Sequence, residues 1–140
     1  MLGTKIEKTF VYKGITCVVV GVQLGHRCGY VGLQNPPKSI TDDPYSLELD
    51  VHGGITYGRY SKNYPINTST TKFWLGFDCA HYMDGKDMTL VKELNYKVVY
   101  EKILKTEQMF GDSYEHVWTT EEVTQELKNL VDKLVELGVN

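Results

Sequence analysis

Arginine is nearly missing from this sequence: Arg27 and Arg59 stand against thirteen lysines among 140 residues. Lysine therefore serves as the general surface cation, and the two guanidinium groups invite a separate reason. Long apolar runs are also missing. None approaches the roughly 20 residues that a membrane-spanning helix needs, and the first 15 residues contain no uninterrupted signal-type apolar stretch. No membrane partner is expected, and a cytoplasmic location is. Cysteine is scarce and odd in number: Cys17, Cys28 and Cys79 show no framework spacing, which fits a reducing compartment. An excess of positive charge is absent as well. The net charge of −3 argues against a long nucleic acid as partner, because phosphate neutralisation dominates that affinity.

The charge is unevenly spread. Residues 1–40 carry five basic side chains against one acidic, and residues 41–140 carry ten against seventeen. A small anionic ligand near the first forty residues is compatible with that bias. The length suits one core, and 41% apolar with 24% charged residues is a globular composition, so residues 1–140 read as a single domain.

The first half reads as strands. Ile6–Tyr12 alternates loosely, Lys13-Gly14 makes a turn, Ile15–Val20 is apolar and β-branched, and Arg27–Leu33 is a third strand. Residues 34–44 (QNPPKSITDDP) form a loop. Leu47–His52 alternates, with Leu47, Leu49 and Val51 on one face, and Gly53-Gly54 breaks or bulges it. Residues 58–71 read as a surface loop leading into a strand over Phe73–Cys79. The spacing over 89–110 predicts one helix. Val123, Leu127, Leu130, Leu134 and Leu137 predict an amphipathic helix over 120–137, begun by a Thr N-cap and stopped at Gly138. That helix packs on the sheet or on a second copy. The expected fold is α+β: a mainly antiparallel sheet from the first ~80 residues with one or two C-terminal helices packed on it.

Chemistry-bearing residues concentrate between positions 26 and 81. His26-x-Cys28, Asp50-x-His52 and Cys79-x-His81 are spaced so that each pair shares one face of a strand. His26, Cys28, Cys79 and His81 together match the ligand types of a divalent metal such as zinc or manganese, although no Cys-x2–4-Cys knuckle is present. Without a metal, Cys79 with a histidine and Asp50 or Asp78 has the parts of a thiol triad. Paired histidines alone can perform acid–base cleavage of a phosphodiester, so His26, His52, Asp78 and His81 are the catalytic candidates. Gly-x-Ser-x-Gly, a Walker loop and the zinc-deaminase pattern are absent.

A binding reading competes with these. Arg27 and Arg59 lie in "GHRCGY" and "YGRY", beside glycines and aromatics. A guanidinium fork grips phosphate in a way that lysine cannot copy. Tyr30, Tyr57 and Trp74 offer faces for a base, and Asp50, His52, Asp78 and His81 offer hydrogen-bonding partners. Clustered glycines, histidines and tyrosines also occur simply as turns, strand ends and packing.

Three stretches, "GHRCGYVGL" (25–33), "LDVHGGITY" (49–57) and "FWLGFDCAHYMDG" (73–85), resemble a family of small bacteriophage and prophage proteins that carry Val-His-Gly-Gly-x-Thr-Tyr and Trp-x-Gly-Phe-Asp-Cys-Ala-His motifs. The family has no assigned activity to transfer. The resemblance implies a phage origin and a setting in the host cytoplasm. By analogy it also implies a role against host immunity, through sequestering or cleaving a nucleotide signal. Two expectations therefore stand. One is a sponge without cofactor that binds a cyclic dinucleotide or ADP-ribose derivative. The other is a hydrolase of the same compounds. The helix over 120–137 is available in either case for homo-oligomer formation.

Overall fold

Ile15–Val22 is apolar on both alternating sets of side chains, so it needs cover on both faces. The computed structural model, which describes residues 3–111 and 114–140, supplies that cover. Strands β1 (Thr4–Tyr12), β2 (Ile15–Val22), β3 (Arg27–Leu33), β4 (Tyr57–Tyr60) and β5 (Phe73–Asp78) form one sheet in the order β1-β2-β3-β5-β4. Every neighbouring pair is antiparallel. With helices packed against it, this is the α+β fold expected from the sequence.

One face of the sheet carries the main core. Cys17, Val19, Val31, Leu33, Leu75 and Phe77 meet Val123, Leu127, Leu130 and Leu134 of helix α4 (Thr120–Glu136). On the other face Val18, Val20, Tyr30 and Trp74 are covered by Tyr57, Tyr64 and Ile66 from β4 and the loop that follows it. The start of α4 is secured by a capping box, in which Thr119 Oγ1 accepts from the Glu122 amide and Glu122 accepts from the Thr119 amide. Gly138, at φ +74°, ends it. Val123, Leu127, Leu130 and Leu134 of the expected stripe are buried against the chain's own sheet, whereas Leu137 is exposed.

Four stretches differ from the sequence expectation. The Leu47–His52 segment keeps its alternation, with Leu49 and Val51 buried and Glu48 and Asp50 exposed, but forms no strand. β4 already occupies the outer edge of β5, so the segment lies in the α4-side core and makes only local backbone bonds, such as Gly54 N–H to Val51 O. The single helix over 89–110 is two, α2 (Met88–Leu94) and α3 (Lys97–Phe110). Asn95 separates them in extended conformation, its amide donating to Val91 O and Gln23 O. The loop expected over 58–71 begins only after β4. A short helix, α1 (Lys38–Asp42), and a 3-10 turn at Pro44–Ser46 sit within the Pro-rich connection.

β1 contains a bulge. Ile6 faces Val20 and Lys8 faces Val19, which leaves Glu7 as the extra residue. Among the described residues no helix is long and apolar enough to cross a membrane.

The core contacts of α4 predict its sensitivity. Leu127→Ala should lower the unfolding free energy by about 2–5 kcal/mol, as for other fully buried leucines. Thr119→Ala should cost about 1 kcal/mol through the lost cap. Val135→Ala, on the exposed side, should change stability by less than about 0.5 kcal/mol. Urea denaturation of the three variants gives the ranking.

Candidate functional site

β5 ends where its register ends, with Asp78 opposite Cys28 and the Cys79 amide bonded to Arg27 O. The chain then turns back on itself. The Ala80 amide donates to Asp78 Oδ1, the Asp84 amide to His81 O, and the His81 amide to Asp84 Oδ2. This closed turn places the Asp84 carboxylate, 4% exposed, under the His52 ring. His52 Nε2 lies 2.9 and 2.7 Å from its two oxygens, and Trp118 Nε1 donates to Oδ1 at 3.1 Å. Burial by itself would raise the pKa of Asp84. The hydrogen bonds from His52 and the His81 amide outweigh it and hold the carboxyl below its ordinary range. An ionised carboxylate only accepts, so His52 Nε2 carries the proton between them. In the neutral ring Nδ1 is then a bare lone pair, and no hydrogen bond to it is found among the described residues.

The His52 ring is held from several sides. Trp118 stacks on it with centroids 4.2 Å apart and planes 30° apart, and His81 meets it edge-on at 5.5 Å. The His52 amide donates to Glu126 of α4 at 2.9 Å. Gly53, at φ +71°, lies directly against His81, and a Cβ there would overlap the imidazole. Glycine is required at that position by conformation and by space. His81 Nε2 is 3.2 Å from Asp78 Oδ1, an ion-pair distance without hydrogen-bond alignment. His26 belongs to the same region. Burial pushes its pKa down and Lys86 adds to that, while a hydrogen bond with the Cys79 backbone and the charges of Asp84 and Asp78 act against it. His26 Nδ1 and His81 Nε2 are buried without a hydrogen-bond partner, and such atoms mark where a further polar group is wanted.

The candidates named from sequence divide into separate places. His52, His81 and Asp78 come together as expected, with His26 near them. Cys79 does not join them: strand alternation sends it into the α4-side core, 1% exposed, where burial pushes its thiol pKa well above the ordinary range. Cys28 packs on the opposite face, its thiol pushed up to about 11 by burial. The set His26, Cys28, Cys79 and His81 is thus split across the sheet. Among the described residues no three His, Cys, Asp or Glu side chains group to hold a metal ion.

Arg27 is also corrected. Its guanidinium is buried and bonded to Glu7 (2.6 and 3.2 Å), Asp87 (2.8 Å) and the Trp118 carbonyl (2.9 Å), so the fork grips carboxylates of its own chain. Trp74 is fully buried and Tyr30 nearly so, its hydroxyl 2.9 Å from that of Tyr64. Neither offers a face to a base. Arg59 is exposed over the Tyr57 ring on the Trp74 side of the sheet, so the two arginines cannot hold one ligand. Asp50 is exposed beside Glu126 and Lys133.

Four residues of the cluster escaped the sequence reading as site residues: Asp84, Trp118, Glu126 and Gly53. Asp84 had a signal, since Asp78, His81 and Asp84 are spaced by three as in a tight turn. Trp118 and Glu126 had none, because the folding of α4 over the sheet brings them in. A concavity of about 840 Å³ lies not at this cluster but at the other end of β5. Geometry and charge, rather than cavity size, single out the cluster. No protein-family model, curated protein or solved structure matches the chain.

Two stability predictions follow from these contacts. Arg27→Met should cost about 3 kcal/mol, because it leaves Glu7 and Asp87 without their cation, and chemical denaturation measures it. The second concerns pH. The contribution of Asp84 is fully present above its ordinary value of 3.8 and is lost as pH falls through its lower folded value. Urea midpoints measured from pH 6 downward should therefore fall less steeply in the acid range for Asp84→Asn than for the unmodified chain.

Proposed function

We propose that this protein is a hydrolase of small nucleotide-type signals, phosphodiesters in chemical class, with His52 as general base. The observation that carries the reading is the paired contact of His52 Nε2 with the buried Asp84 carboxylate, which leaves Nδ1 as an open lone pair. Asp84 fixes the tautomer and stabilises the imidazolium formed when Nδ1 takes a proton from the attacking water. The water oxygen attacks phosphorus. His81, 5.5 Å away and beside Asp78, is placed to return a proton to the leaving oxygen. Trp118 and Gly53 are positioning residues that hold the two rings.

Sequestration was expected to rest on Arg27 and Arg59 for phosphate and on Trp74 with nearby tyrosines for stacking. Arg27, Trp74 and Tyr30 are taken up by contacts within the chain, and the exposed Arg59 stands apart from Arg27 on the other side of the sheet, which supports cleavage over storage. The choice of a nucleotide signal as substrate, and of the infected host cytoplasm as setting, rests on the motif resemblance. In that setting cleavage would counter a defence response.

Cyclic dinucleotides and ADP-ribose derivatives incubated with substoichiometric protein should yield hydrolysed product by chromatography. His52→Ala and Asp84→Asn should each lower the rate by about 10²–10⁴-fold while circular dichroism stays unchanged. Recovery of every compound intact after heat denaturation, or undiminished turnover by His52→Ala, overturns the proposal.

A further inference from the structure

We propose a second ligand site, at the opposite end of β5 from the histidines, that takes a planar aromatic monophosphate of nucleotide size. Six residues of strand separate the two places, about 17 Å at 3.4 Å per residue. The cavity there, about 840 Å³, is of the size that small-molecule sites occupy.

Its lining is rich in donors and contains no carboxylate. Lys62 and Lys72 stand on it, and neither has an acidic partner among the described residues. Thr71 is 4% exposed and lines the cavity; its amide donates to Thr68, and no hydrogen bond of its own hydroxyl is found among the described residues. Its position is fixed, because it lies over Gly32, where a Cβ would come within 2.7 Å of Thr71 Oγ1. Ser61 Oγ accepts the Tyr64 amide at 3.0 Å, which leaves its own proton free to donate. Two ammonium groups and two hydroxyls with protons to give match the acceptor-only surface of a phosphate. Tyr60 completes the site. Its ring is 67% exposed and held edge-on against Phe73 at 5.0 Å, so a free aromatic face stands beside the donors, as base stacking requires.

Adenosine 5′-monophosphate, adenosine and inorganic phosphate, titrated separately into isotope-labelled protein, test the site through amide resonances. The monophosphate should give saturable shifts confined to residues 60–62 and 68–72. Adenosine and phosphate alone should each bind at least about tenfold more weakly, since each lacks one half of the contacts. Lys62→Gln with Lys72→Gln should weaken the monophosphate about tenfold or more and leave adenosine unchanged. Thr71→Val should weaken it with the urea midpoint unchanged. His52→Ala should leave these shifts as they are, which separates this site from the proposed hydrolase. The proposal is overturned by no saturable shift up to about 10 mM, by shifts confined to residues around His52 and Trp118, or by unaltered affinity in the double lysine variant.

Discussion

Burying a guanidinium costs several kcal/mol unless its donors find acceptors, and at Arg27 four parts of the chain converge to meet that demand. Arg27 comes from β3, Glu7 from the bulge in β1, Asp87 from the N-cap of α2, and the Trp118 carbonyl from the approach to α4. Asp87 serves twice, since one oxygen holds Arg27 while the other caps α2 through the Thr89 amide. Holding the Trp118 carbonyl fixes the indole, and the indole in turn meets both Asp84 and His52. The geometry at the imidazoles thus depends on a cation that never touches them.

The sheet keeps different chemistries apart. Alternation along β3 and β5 sends Val31, Leu33, Leu75 and Phe77 to the α4 side and Tyr30 and Trp74 to the other, so each face has its own packed layer. Polar chemistry is left to the strand ends, where pairing stops and backbone turns begin. At the end that carries Asp78, buried acceptors organise rings. At the end that carries Phe73, Lys62 and Lys72 stand without an acidic partner among the described residues. The net charge of the chain conceals this local contrast.

Much of the fold was legible because it depends on local periodicity. The four-three spacing from Val123 to Leu134 and the Thr119 cap define α4, and the β-branched run at Ile15–Val20 defines a central strand. Leu47–His52 misled because alternation reports which side chains are buried and not whether a ladder partner is free. Asn95 looked like one more helix residue, but its side chain bonds to Gln23, just past β2, and to Val91 of α2. At the cluster, histidine and aspartate types pointed to the turn where His52, Asp78 and His81 meet. The orienting carboxylate, the indole and the glutamate come from positions 84, 118 and 126, and no spacing rule links those to position 52. Arg27 was singled out rightly as unusual but for the wrong partner, because a fork that suits phosphate suits two carboxylates equally well.

The bulge at Glu7 has a consequence for how copies of the protein meet. β1 is an outer strand of nine residues, long enough to template pairing with another chain. Turning Glu7 inward to Arg27 inserts an unpaired residue, shifts the register between Ile6 and Lys8, and breaks the regular row of amides that an incoming strand would need. Lys5 and Lys8 flank the break with charge. The ionic bond that seats the buried arginine therefore also protects the free edge of the sheet, so that losing it would expose the protein to strand-by-strand aggregation as well as to unfolding.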